Sequence, residues 1–173
     1  MIRFTLALLA GISMTAQAQD TPEPPGLELA FELFAQVADP IIVGEMPNGQ
    51  RRIINILSGD FEGPGIKGRL VPGGADWQII REDGFTEVDT RYLLETDDGH
   101  LIYVTNIGIR HASPEVMARL NAGEEVEQSD IYFRAIPEFE TDAPELQWLT
   151  RSIFVSTGER YPNGVVIRYW RVL

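Results

Sequence analysis

The segment Leu27 to Val37 places apolar side chains at every second position, Leu27, Leu29, Phe31, Leu33, Ala35 and Val37, with Glu28, Glu32 and Gln36 between them. A period of two puts one face of a strand in a core and the other in water, which no helix can do with the same residues. Similar strand-like runs recur along the chain, separated by sharp turn signals. Met46-Pro47-Asn48-Gly49 divides Ile41–Glu45 from Arg51–Ser58, and Asn-Gly between two such runs is a strong hairpin signal. Pro72-Gly73-Gly74 bends the chain, Glu82-Asp83-Gly84 and Asp97-Asp98-Gly99 turn it, and Pro162-Asn163-Gly164 precedes the last strand.

The strands expected from this pattern are 27–37, 41–45, 51–58, 66–71, 76–81, 85–96, 101–109, 130–136, 149–156 and 165–172, with 59–65 read as a loop. One helix interrupts them. Ser113 is its N-cap, Pro114 its first residue, Glu115 suits the positive end of its dipole, and Gly123 stops it. Nine or ten short strands with tight turns argue for an all-β domain, a closed antiparallel β-barrel with one short helix. Closure removes edge strands. That suits a chain with no cysteine, which has no disulfide to supplement its core. In such a barrel Leu29, Phe31 and Leu33 point inward, and the helix near 114–122 covers one mouth.

The N-terminus carries an address. Arg3 is followed by a short apolar run, Phe4 to Met14, and then by the small-x-small site Ala16-Gln17-Ala18. This reads as a signal peptide, residues 1–18, cleaved after Ala18. Residues 19–26 form an extended linker rich in proline, and 27–173 a single barrel domain. The apolar run is shorter than the roughly 20 residues of a membrane span, so the expected location is periplasmic or secreted, with no membrane span. The formal net charge of −12 disfavours phosphate backbones, so no nucleic-acid partner is expected.

Without cysteine there is no thiol nucleophile or iron–sulfur site. The histidines, His100 and His111, fall at opposite ends of one predicted strand, over 30 Å apart at about 3.3 Å per residue. No metal site is expected, and no cofactor motif is present. The partner expected instead is a small-molecule ligand in the barrel.

Six residues are candidates for that site. Asp76 follows the Gly73-Gly74 bend, where strands approach closely, and Trp77 beside it offers an apolar neighbour that raises a carboxyl pKa. Arg91 sits mid-strand, and with Asp76 forms the candidate catalytic pair. Asn106 and Arg110 share a face with Ile102 and Val104, as on a cavity wall with a few polar anchors. Trp148 is a candidate stacking surface, or else a core residue. A buried carboxylate and guanidinium are costly unless paired, so Asp76 and Arg91 are expected within hydrogen-bonding reach or sharing a water.

Several stretches resemble a family catalogued as domain of unknown function 3237. The resemblance rests on Ser58-Gly59-Asp60-Phe61-Glu62-Gly63-Pro64, on Gly68-Arg69-Leu70-Val71-Pro72-Gly73-Gly74-Ala75-Asp76-Trp77-Gln78, and on Asn106-Ile107-Gly108-Ile109-Arg110. Tyr132-Phe133-Arg134 and Trp148-Leu149 extend it towards the C-terminus. Thr150 departs from it, because the family usually carries Asn after Trp-Leu. The resemblance implies a lipocalin-like barrel and no particular activity.

The first functional expectation is an exported small-molecule-binding barrel, a carrier or sequestering protein. The alternative is a cofactor-independent isomerase, lyase or cyclase in which Asp76 moves a proton, and the third is a structural module with a filled interior. Open volume inside the barrel separates the third from the others. An all-apolar pocket favours a carrier, and an Asp grouped with Arg or Asn around open space favours an enzyme.

Overall fold

A computed structural model describes residues 22–173, so the proposed leader and the start of the linker lie outside the described residues. Nine strands form one antiparallel sheet: β1 (Leu27–Val37), β2 (Ile41–Met46), β3 (Gly49–Gly63), β4 (Ile66–Ile80), β5 (Thr86–Thr96), β6 (Leu101–His111), β7 (Tyr132–Glu140), β8 (Phe154–Tyr161) and β9 (Gly164–Val172). Their order is β1-β9-β8-β7-β6-β5-β4-β3-β2, and an additional β1–β3 pairing closes the sheet on itself. The result is a closed eight-stranded barrel. β2 hangs outside the closure as a hairpin arm on the first half of β3. Helix α1 (Pro114–Asn121) starts where expected, with the Val116 N–H donating to Ser113 Oγ at 3.3 Å.

Four expectations change. Residues 59–63 are strand, not loop. Gly59 and Gly63 do not turn the chain. A Cβ at either would lie 2.1 Å from a β1 carbonyl oxygen, Phe34 O and Ala30 O respectively, so glycine there lets β1 and β3 approach and close the barrel. The strands expected at 66–71 and 76–81 are one, β4, and Pro72-Gly73-Gly74 makes a register shift between Val71 and Ala75 instead of a break. Leu29 points outward and is 36% exposed. A β-bulge between Leu29 and Phe31 reverses the alternation there, so the inward set begins at Ala30 and Phe31. The strand expected at 149–156 begins only at Phe154. The preceding residues form a 3-10 turn (Pro144–Leu146) running into α2 (Gln147–Thr150), tied down by Gln147 Nε2, which donates to the carbonyls of Thr141 and Ala143.

The interior divides along its length. One end is packed with aromatic rings. Phe31 is fully buried and stacks on Tyr169 at 4.5 Å between centroids, with Phe61 at 5.5 Å and Phe139 at 5.8 Å. Phe154 meets Phe139 edge-on at 5.1 Å. The other end carries buried polar side chains: Arg52, Gln78, Asn106, Arg110 and Ser156. Met117 and Leu120 of α1 join the buried core.

Candidate functional site

The polar end encloses a cavity of about 150 Å³. An apolar cavity of similar size, about 150 Å³, accepts benzene. Apolar walls come from Leu33, Ile54, Ile56 and Ile167, and the exposed Asp39, Pro40, Tyr161 and Pro162 mark its opening.

Strand register builds the polar wall. Asp76 of β4 pairs with Ile54 of β3 and with Thr90 of β5, and Thr90 pairs with Asn106 of β6. Asp76, Thr90 and Asn106 therefore form one cross-strand row facing the cavity. One inward position further along, Arg52 pairs with Gln78, and Gln78 lines the cavity with Arg52 behind it. Arg110 lies two inward positions beyond Asn106 on β6, and Arg160 comes from the end of β8. Gln128 holds Arg160 by its backbone from both sides, donating to its carbonyl and accepting from its N–H, each at 3.0 Å.

Arg52 Nε donates to Gln78 Oε1 at 2.7 Å, and Gln78 Nε2 donates in turn to Asp76 Oδ2. The second oxygen of Asp76, Oδ1, is sealed from solvent and has no hydrogen-bond partner. Sealed without partners as well are Arg52 Nη2, Arg110 Nε and Nη2, and Arg160 Nη1. Burial pushes the Asp76 pKa up, while Gln78, its neighbour Thr90 and the charge of Arg110 pull it back. Burial, reinforced by the charge of Arg160, lowers Arg52 to about 10 and Arg110 to about 9. Burial also lowers Arg160.

On the cavity's aromatic side, Tyr92 and Tyr169 bond to each other through their hydroxyls. Burial raises both phenols, so they stay protonated donors. Gly74 makes room for this pair, since a Cβ there would come within 2.5 Å of Tyr92 Cβ. Ser156 Oγ donates to Asn106 Oδ1 at 3.2 Å.

The structure thus gathers Asp76, Asn106 and Arg110, but not the other three candidates. Arg91 lies on the outer face, half exposed, paired with Asp89 at 3.3 Å. Its neighbours Thr90 and Tyr92 both line the cavity, so alternation sends Arg91 out. The expected Asp76–Arg91 pair does not form. Trp77 alternates with Asp76 in the same way and is 36% exposed, so it is burial in the barrel, not the indole, that raises the Asp76 pKa. Trp148 packs on the core beside Phe154, ring centroids 5.9 Å apart, and does not line the cavity. Thr150 is exposed, and its hydroxyl donates to the Gln147 carbonyl at 3.0 Å, away from the cavity.

Arg52, Gln78, Thr90, Tyr92, Arg160 and Tyr169 escaped the sequence reading. A signal existed for some. Arg52 alternates with Ile54 and Ile56, and Arg160 with Phe154, Ser156 and Gly158, which places a basic residue on an otherwise inward stripe. His100 pairs with Glu145 at the surface, and His111 stacks between Phe85 and Tyr132, so the two histidines do not meet.

A family described as "Protein of unknown function (DUF3237)" matches residues 25–172, and the chain belongs to it. A UPF0311 protein of Rhodopseudomonas palustris is 44% identical over 143 residues, spanning 83% of this chain and 94% of the relative. The crystal structure of a conserved protein of unknown function from that organism superposes with a TM-score of 0.85 at 42% identity, covering 88% of this chain and 100% of that one. A beta-barrel like protein from Acinetobacter baumannii gives 0.77 at 38% identity, covering 90% and 100%. A more distant relative, a hydroalkoxylation enzyme of Penicillium herquei, is 31% identical over 106 residues, 60% of this chain and 69% of the relative. The structure of an enzyme from Penicillium herquei shares the fold, with a TM-score of 0.66 at 20% identity over 90% of this chain and 100% of that one.

Proposed function

We propose that this family member is a cofactor-independent proton-transfer enzyme, an isomerase, lyase or cyclase, acting on a small organic molecule inside the barrel. The observation that carries the reading is the Oδ1 atom of Asp76, sealed from bulk water, unpartnered, and set in a cavity wall that also holds unpartnered guanidinium N–H groups. Unpartnered guanidinium groups alone would suit a carrier of an anionic molecule; the carboxylate beside them is the feature that favours proton transfer. A carboxylate with a free oxygen and a raised pKa is what a general base requires.

On this reading Asp76 takes a proton from a C–H or O–H of the bound molecule, and the electron pair left behind collects on a ligand oxygen. The guanidinium N–H groups stabilise that developing oxyanion in a site of low dielectric. The protonated Asp76 then returns the proton to another carbon. The Gln78 amide, braced by Arg52, keeps the carboxylate aimed. Hydroalkoxylation, the addition of an O–H across a carbon–carbon double bond, is a reaction of this class, which is why the distant relative supports the reading.

The test is proton exchange. The purified protein is incubated in D2O with a panel of cyclic 1,3-diketones and hydroxy-enones, and deuterium uptake is followed by NMR. Exchange above buffer that disappears in Asp76→Asn is expected. Exchange no faster than buffer across the panel, or equal exchange in the Asn variant, refutes it.

Export belongs to the same proposal. The signal-peptide pattern of residues 1–18 supports a mature chain beginning at Gln19 outside the cytoplasm. N-terminal sequencing that finds Met1 intact on the soluble cytoplasmic protein overturns that part.

A further inference from the structure

We propose that Arg110 and Arg160, backed by Arg52, form a receptor for the oxyanion group of the ligand, a carboxylate or an ionised enol or phenol carried on a body about the size of one aromatic ring. The inference rests on the proton-transfer reading above for its chemistry and narrows the class of molecule.

Charge points to it first. Arg110 and Arg160 line the cavity interior with Asp76, Arg52 adds a third guanidinium behind Gln78, and Asp39 stands exposed at the opening. The chain carries 26 acidic residues, yet among the described residues none forms an ion pair with Arg52, Arg110 or Arg160. Arg52 reaches Asp76 only through the Gln78 amide. The charge of Asp76 offsets part of theirs, but one carboxylate faces three guanidiniums. A buried guanidinium short of counter-charge is expensive, and a fold this rich in carboxylates has an easy remedy it does not use. The excess positive charge is therefore kept for a group that arrives with the ligand.

Hydrogen-bonding capacity agrees. Arg110 Nε and Nη2 and Arg160 Nη1 are buried without partners, and both side chains line the same cavity. Arg110 is 3% exposed. Guanidinium forks match the two oxygens of a carboxylate and accept an enolate or phenolate oxygen between them. Size then limits the body. A volume of about 150 Å³ behind the opening, walled by leucine and isoleucine, accommodates a single ring and excludes a polymer.

Benzoate is the probe, with benzyl alcohol and benzamide as neutral molecules of the same shape. Binding to the full mature chain is measured by calorimetry. Benzoate is expected to saturate one site and to bind at least tenfold more tightly than either neutral molecule. Arg110→Met and Arg160→Met should each weaken benzoate at least tenfold and leave benzyl alcohol within about threefold. Arg52→Met, which removes the charge behind Gln78, should weaken it less. Arg110→Lys, which keeps charge but loses the fork, should fall between parent and Arg110→Met. Asp76→Asn should tighten benzoate, because a like charge leaves the cavity. Circular dichroism checks that each variant is folded. If Arg110→Met does not fold, Arg160→Met and Arg110→Lys decide.

Absence of saturable benzoate binding, equal affinity for benzyl alcohol, or unchanged benzoate affinity in the folded Arg110 and Arg160 variants overturns the receptor. The two readings fail separately. Deuterium exchange lost in Asp76→Asn with no preference for benzoate removes only the anion receptor. Benzoate binding that depends on the arginines, without any exchange, removes only the catalysis.

Discussion

Arg110→Met should make the protein more stable, although it deletes a buried hydrogen-bonding group. Arg110 is 3% exposed, and two of its nitrogens are sealed without partners. Its pKa is pushed well down, to about 9, chiefly through burial and then through the charges of Arg160 and Arg52. A tenfold change in a proton-binding constant corresponds to about 1.4 kcal/mol, so holding this charge inside the barrel costs up to about 5 kcal/mol relative to the unfolded chain. The attraction of Asp76 is already counted in that figure, and the aliphatic stem keeps most of its packing when methionine replaces it. Even exchanging a buried ion pair for apolar residues of similar volume is often neutral or gains about 1–4 kcal/mol. A gain near 2 kcal/mol raises the melting temperature by about 4–8 °C for a domain of this size. The pH dependence carries the sign. The folded-state pKa of this base is depressed, so its penalty is fully present below about 9 and is relieved as pH rises towards the ordinary guanidinium range. The stability gap between variant and parent should be flat from pH 6 to 8 and should narrow above pH 9. Urea unfolding of ligand-free protein across this range measures it. A variant less stable than its parent by more than about 1 kcal/mol would mean that Arg110 has a native partner, and its charge would not be uncompensated after all.

Phe31→Ala should cost about 3–5 kcal/mol in urea unfolding, because the ring is fully buried against Phe61, Phe139 and Tyr169. Gly158→Ala should cost about 1–3 kcal/mol in the same assay, since its Cβ would lie 2.2 Å from the Phe133 ring and force it to move. Gln78→Leu removes the amide that stabilises the Asp76 carboxylate, so the Asp76 pKa rises further. The acid limb of the exchange rate against pH should then move to higher pH, which NMR exchange rates measured between pH 4 and 9 would detect.

Much of the fold was legible because inward and outward positions differ in polarity. Val88, Tyr92 and Leu94 alternate with Glu87, Arg91 and Glu95, and the register of β5 follows from that. The helix was legible from its cap, Ser113, and from Pro114. The pattern hid what depends on a second strand. Gly59 and Gly63 look like turn residues in isolation, and only the approach of β1 explains them. Leu29 continues an unbroken alternation in sequence, and the bulge that turns it outward is set by pairing with β9. The site was half legible for the same reason. Asn106 and Arg110 could be placed inward from their apolar neighbours on one strand. Arg91 is mid-strand, but position along a strand does not choose a face. Thr90 and Tyr92 on either side of it do. Arg52, Gln78 and Arg160 come from three strands, and no local pattern joins them; the closed sheet does, through the Arg52–Gln78 pairing and the Gln128 clamp on Arg160.

The two ends of the barrel depend on each other through Tyr92 and Tyr169. The ring of Tyr169 stacks on Phe31 in the aromatic end, while both tyrosines line the cavity. Two hydroxyls bonded to each other use one proton in that bond, and the other proton has no acceptor among the described protein groups. The pair is therefore a donor of a character opposite to the arginines: neutral, rigid, and fixed by stacking. Under the proposed anion receptor, a ligand whose oxyanion sat between the guanidiniums would meet this donor with another part of its body. The aromatic cluster gives that wall its rigidity and supplies stability that offsets the unpaired arginines. This division explains how one short barrel keeps an unpaired polar pocket without disulfides. Its strands change character midway, from rings that only pack to polar side chains without hydrogen-bond partners among the described residues.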